Sequence, residues 1–129
     1  MLFADLPAGR TFKTLEYPVT PELVQGFIET VGDRHPLYYE GFAPPGLAAI
    51  YARLSYLQDH TMPSGGVLAK QEFEFQNPAK IGDTLKVQAR VTESHLDEKE
   101  RKRVDFLIEA QDQKGMPVST IRLHAIWPK

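Results

Sequence analysis

The 129-residue sequence predicts an α+β fold, one antiparallel sheet wrapped around a buried central helix. Two observations carry that expectation. Leu47, Ala48, Ala49, Ile50, Tyr51, Ala52, Leu54, Tyr56 and Leu57 cover most of a helix circumference, interrupted only by Arg53, Ser55 and Gln58. A helix that apolar must be surrounded by protein. Beyond residue 70 the chain turns repeatedly to period-two alternation, which marks strands with one buried face and one wet face. A curved sheet closed over the helix satisfies both. Its edge strands would favour pairing with a second subunit.

In chain order, the stretch to Pro18 is mixed and reads as extended. Thr20-Pro21-Glu22 is a helix start: Thr20 caps, Pro21 suits the first helical position and Glu22 complements the dipole. Leu23, Val24, Phe27, Ile28 and Val31 share one helical face, and Gly32 suits a left-handed terminator. The second helix should begin at Gly46 or Leu47 and run to about Asp59. Its small residues Ala48, Ala49, Ala52 and Ser55 would let a sheet approach closely. Phe73 and Phe75 then alternate with Glu72, Glu74 and Gln76. The same rhythm returns in Leu85 to Val91, Val104 to Ala110 and Ile121 to Ala125. Gly82-Asp83 and Gln113-Lys114-Gly115 are turn signals. The charged run Asp97 to Arg103 reads as a solvated hairpin tip.

The length suits one domain, residues 1–129. A net charge of −2 argues against a nucleic-acid partner held through phosphates. There is no cysteine, which removes disulfides, thiolate nucleophiles and zinc–thiolate sites and fits a cytoplasmic protein. The N-terminus lacks the basic start and apolar core of a signal peptide. No run approaches the roughly 20 apolar residues of a membrane helix, so no membrane partner is expected. His35, His60, His95 and His124 are scattered without paired ligand spacing, so neither a metal nor another cofactor is expected. Ser55 and Ser64 have no nearby His–Asp signature, against a serine hydrolase.

The segment Gly32-Asp33-Arg34-His35-Pro36-Leu37-Tyr38, followed by Ala43-Pro44-Pro45-Gly46, holds the candidate chemistry. It places a carboxylate, an imidazole and a phenol in a Pro-braced loop before a helix N-terminus. Unpaired N–H groups there can polarise a carbonyl. Those are the parts of acid–base chemistry on an acyl group. Each residue also has a plainer reading. Asp33 can be a turn residue, His35 a loop hydrogen-bonder and Tyr38 a half-buried aromatic. Gly46 can be a turn forced by Pro44-Pro45.

This order of elements and motifs resembles the hotdog fold, and within it the MaoC-like (R)-hydratase/3-hydroxyacyl dehydratase family. The resemblance covers nearly the whole chain. It rests on Thr20 to Tyr38, on Ala43-Pro44-Pro45-Gly46, on Phe73 to Leu85 with its Phe…Pro…Gly-Asp pattern, and on Ala110 onward. It implies binding of an acyl thioester of CoA or acyl-carrier protein, and reversible addition of water to an enoyl thioester. Active members carry Asp-x-Asn-Pro-x-His. Asp33 matches the Asp and Pro36 the Pro. His35 stands at the Asn position and Tyr38 at that of the catalytic His. The resemblance thus implies Asp33, His35 and Tyr38 as the catalytic group and Pro45, Gly46 and Leu47 as substrate contacts. Gly65 and Gly66 would border the thioester tunnel, with a flexible loop as their plainer reading.

An unperturbed Tyr, with pKa about 10, is a poor base near neutrality. The Asp-x-His-Pro-x-Tyr form more closely resembles a branch that pairs with a catalytic MaoC-like chain, shaping the acyl channel without supplying the His. The expected partner is therefore a second copy or such a catalytic chain. The segment between Tyr39 and Pro44 is also shorter than the family's usual lid. Three functions follow: a hydratase or dehydratase, a non-catalytic subunit of a heteromeric hydratase, or a hotdog thioesterase.

Overall fold

In the computed structural model, which describes residues 1–129, Thr20 caps the first helix as its position predicts. Its hydroxyl accepts from the Leu23 N–H at 3.1 Å, and helix α1 (Pro21–Val31) runs from there to Gly32. Gly32 adopts φ 77°, a left-handed conformation in which glycine carries no steric penalty. Val24 and Ile28 bury the inner face of α1, while Val31 is left exposed.

Five strands form one antiparallel sheet in the order β1-β3-β4-β5-β2. They are β1 (Leu15–Pro18), β2 (Val67–Phe75), β3 (Thr84–Leu96), β4 (Lys102–Gln111) and β5 (Pro117–Trp127). The alternation predicted for β3, β4 and β5 is observed. Leu85, Val87, Ala89 and Val91, then Val104, Phe106, Ile108 and Ala110, then Ile121, Leu123 and Ala125 all point inward and are buried. A 3-10 turn at Phe3–Asp5 precedes an extended stretch that follows β3, where Gly9 and Phe12 donate to the Val91 and Ala89 carbonyls. The charged run does close the β3–β4 hairpin. There Asp97 accepts from the N–H groups of Lys99 and Arg101 and from both the Arg101 and Arg103 guanidinium groups.

Helix α2 (Leu47–Leu57) lies across β3 and β1. Leu47, Ala48, Tyr51, Ala52, Ser55 and Tyr56 are buried beneath it, and the Tyr56 ring stacks on Phe106 with centroids 4.5 Å apart. This chain does not surround the helix on all sides, contrary to its composition. Ala49, Ile50, Arg53 and Leu54 form an exposed stripe, with Ile50 at 42% and Leu54 at 43% exposure.

The second difference is β2. Phe73 and Phe75 were expected on a buried face, yet all nine residues of β2 are exposed. The strand pairs only with β5, and α2 covers the opposite end of the sheet. Two apolar surfaces, the outer stripe of α2 and the inner face of β2, therefore have no cover within the chain.

Candidate functional site

Asp33, His35 and Tyr38 sit between α1 and α2, around a short 3-10 helix at Pro36–Glu40. Pro36 supplies its first residue, which needs no N–H. His35 caps it: the ring Nδ1 accepts from the Leu37 N–H at 3.2 Å. A neutral ring in that arrangement carries its proton on Nε2. The Tyr38 hydroxyl donates to Asp33 Oδ2 at 2.6 Å. Partial burial of the ring, and then this bond and the Asp33 charge, push the Tyr38 phenol up to about 12. The His35 and Tyr38 rings lie 5.7 Å apart. The sequence-predicted trio is thus brought together, but as an exposed cluster whose carboxylate is engaged by the phenol.

The loop beyond is stitched to the far side of the site. Gly41, at φ 96°, ends the short helix, Ala43 N–H donates to the Ala79 carbonyl, and Ile81 N–H donates to the Gly41 carbonyl. Pro44 and Pro45 then lead into α2. The N–H groups of Leu47, Ala48 and Ala49 donate to the carbonyls of Pro44, Pro45 and Gly46. These bonds occupy donors that a helix start usually leaves free. The Gly46 N–H, the first after two prolines, has no protein partner.

Beside this turn opens an apolar cavity of about 340 Å³. Pro44, Pro45, Leu47 and Tyr51 form one wall, Val19 and Leu85 a second, and Phe75 to Ala79 with Val118 a third. Its size falls within the usual range for small-ligand sites. The hydroxyl of Tyr51, one of its lining residues, shares a 2.5 Å hydrogen bond with buried Ser119. Burial raises the Tyr51 phenol, despite the opposing effect of that bond.

Of the expected substrate contacts Pro45, Gly46 and Leu47, the first and last line the cavity, whereas Gly46 does not and instead faces the Phe27 ring. Asp33, His35 and Tyr38 do not line it. Gly65 and Gly66 are not brought to it either: they pack against Pro128 and Met62, in the segment that follows the other end of α2. The Met62 methyl lies only 2.1 Å from where a Cβ on Gly66 would stand. Sequence reasoning did not select Phe75, Gln76, Asn77 or Tyr51 as site residues. The Phe…Pro…Gly-Asp pattern contains the first three, so that signal was present. No group of three His, Asp or Glu side chains is placed to hold a metal ion, and no helix is long and apolar enough to cross a membrane.

Comparison with known proteins places this architecture. The family model described as "FAS1-like, dehydratase domain region" matches residues 7–121, and the chain belongs to that family. Among solved structures it is similar to the monoamine oxidase regulatory protein of Archaeoglobus fulgius. That match has 21% identity and TM-score 0.83, covering 100% of this chain and 95% of that one. It is similar to an unliganded R-hydratase of Pseudomonas aeruginosa, with 24% identity, TM-score 0.74, and coverage of 99% and 86%. It also resembles a C-terminally truncated 3R-hydroxyacyl-ACP dehydratase complex of Mycobacterium tuberculosis, with 20% identity, TM-score 0.77, and coverage of 92% and 96%. The fold is the hotdog fold, an α+β arrangement. No curated protein matches the sequence.

Proposed function

We propose that this chain binds an acyl thioester, of CoA or acyl-carrier protein, and serves as the non-catalytic subunit of a heteromeric MaoC-like hydratase/dehydratase. The bond from Tyr38 to Asp33 carries this reading. With the phenol pushed up to about 12, Tyr38 stays protonated near neutrality, so it cannot serve as the base and instead donates its proton to one oxygen, Oδ2, of the Asp33 carboxylate. The chain's contribution is then to binding. The Gly46 N–H meets the thioester oxygen, and the apolar cavity beside it takes the acyl chain. The general base comes from a second chain. The uncovered stripe of α2 and the open edge of β2 support such an assembly, since each leaves apolar surface for a partner to bury. The dehydratase complex among the structural neighbours is consistent with it.

A second reading, hydration by the chain itself, draws on Asp33 with His35. The cap bond leaves the His35 Nε2–H free to donate a proton, and Asp33 Oδ1 is free to accept one from the attacking water. Hydroxyl would then add to C3 and hydrogen to C2 of the enoyl thioester, with the Gly46 N–H stabilising the enolate-like oxygen.

The test is an assay of the purified chain, alone and mixed with a candidate chain bearing Asp-x-Asn-Pro-x-His. Crotonyl-CoA hydration and free-thiol release are followed together, and butyryl-CoA binding is measured calorimetrically. Binding alone, with hydration appearing only in the mixture, supports the subunit. Hydration by the isolated chain that is lost in His35→Gln replaces it with the enzyme reading. Thiol release without hydration would overturn both in favour of a thioesterase.

A further inference from the structure

The lining of the cavity is apolar but for one buried side chain. No Lys, Arg, His, Asp or Glu lines the space. Gln76 and Asn77 belong to its less buried wall, where their amides donate to the Thr120 hydroxyl and the Pro117 carbonyl. Tyr51 alone among the lining residues is both buried and polar, at 3% exposure. Its hydroxyl meets that of Ser119, buried at 1%. Ser119 follows Val118 and pairs in register with Phe75, both residues of the cavity wall. Cross-strand partners share a face of the sheet, so Ser119 points the same way as Phe75.

Two hydroxyls carry two protons. The bond between them uses one, whichever oxygen gives it. The other has no acceptor in the chain. Neither hydroxyl makes a second hydrogen bond, and Tyr17, whose ring lies 5.6 Å from that of Tyr51, makes none to them. Burial raises the Tyr51 phenol, so that proton is not lost to ionisation near neutrality. Both oxygens are engaged, and what remains is one directed O–H in a low-dielectric wall, a costly thing to leave unmet.

We propose that Tyr51 and Ser119 together select an acyl group that carries a keto or hydroxyl oxygen along its tail. This rests on the reading of the cavity as an acyl site. Asp33, His35 and Tyr38 do not line the cavity, so an oxygen on the carbons next to the thioester faces that cluster, and one further along the tail faces the hydroxyl pair. A plain hydrocarbon tail leaves the spare proton without an acceptor. A carboxylate is disfavoured, because no cation lines the space to offset its desolvation.

Calorimetric binding of matched thioesters tests this. The probes are 4-oxopentanoyl-, 5-oxohexanoyl- and 6-oxoheptanoyl-CoA, each against its parent pentanoyl-, hexanoyl- or heptanoyl-CoA. The proteins are the wild type and Tyr51→Phe/Ser119→Ala, which removes both hydroxyls and leaves no orphan between them. An apolar cavity rejects a carbonyl that no donor meets. In the wild type the best oxo probe should bind at least as tightly as its parent. In the double variant it should fall about tenfold or more behind, while the parents keep their affinity within about threefold. In the wild-type complex the ketone stretch of that probe should also move to lower wavenumber than in hydrocarbon, a readout that needs no variant. An unshifted stretch, or the same oxo-to-parent ratio in both proteins, would overturn the selection and leave the acyl site standing. Binding of none of the six thioesters would remove the acyl reading itself, and this proposal with it.

Discussion

The Phe27 ring lies end-on against Gly46, its Cζ 2.7 Å from where a Cβ on that glycine would stand. Gly46 has φ −60° and ψ −18°, angles open to any residue. The constraint there is one of space, set by the tip of the Phe27 ring, and not one of backbone conformation. Gly→Ala at such angles ordinarily gains about 0.4–1 kcal/mol, whereas overpacking costs about 1–3 kcal/mol. Gly46→Ala should destabilise the chain and lower Tm by several degrees. Trimming the ring with Phe27→Leu in the same molecule should recover part of that loss. A cycle showing simple additivity would remove the contact from the account of how α2 is seated.

Tyr38→His is the sharpest test of the subunit reading. It restores an imidazole five residues after Asp33 and removes the proton that engages the carboxylate. General base catalysis contributes about 10²–10⁴-fold. Isolated Tyr38→His should therefore hydrate crotonyl-CoA at least about 10²-fold faster than the parent, if Gly46 and the cavity are otherwise complete. Tyr38→Phe should stay inactive and lose only about 1 kcal/mol of stability. It should also lack the phenol that titrates at about 12 in an alkaline absorbance titration.

Tyr51 and Ser119 satisfy each other in the core at 2.5 Å. Tyr51→Phe leaves a buried hydroxyl without its partner and should cost about 1–3 kcal/mol in denaturant unfolding. The double variant with Ser119→Ala should cost less than the sum of the singles, because neither orphaned group then remains.

Asp97 governs the β3–β4 hairpin under acid conditions. Desolvation raises its pKa. The Arg101 N–H, the Arg103 and Arg101 guanidinium groups and the Lys99 N–H outweigh that and hold the carboxyl well below the usual range. A depressed acid contributes stability above its unfolded-state pKa and loses it as pH falls through its folded value. Asp97→Asn should therefore destabilise the chain at neutral pH, with the difference narrowing in strong acid. Unfolding midpoints measured down the pH scale would show the convergence.

The parts of the fold that were readable from sequence are those fixed by local chemistry. Thr20 and Gly32 bound α1 through their own side-chain and backbone properties, and the alternation in β3, β4 and β5 follows from one face meeting the core. The uncovered stripe at Ile50 and Leu54 and the bare Phe75 on β2 were not readable. An apolar residue looks the same whether its cover comes from its own chain or another. At the site, Gly46 stands out in the sequence because a helix start without a side chain lets a ligand approach the backbone. The cavity walls at Val19, Leu85 and Val118 come from distant segments that only the sheet order brings together. A Gly-Gly pair reads equally as a ligand-facing loop or a packing necessity, and at Gly66 the Met62 methyl fills the space.

The bare flank of β2 bears on how the polypeptide behaves before it finds company. A nine-residue strand with one row of amides unpaired and two phenylalanines in view is a template for misassembly, restrained here by Lys70, Glu72 and Glu74. Overproduced by itself, the chain should partition in part into inclusion bodies. If a second chain caps that flank, soluble yield from a co-expression host should rise with that companion and not with a lower growth temperature alone.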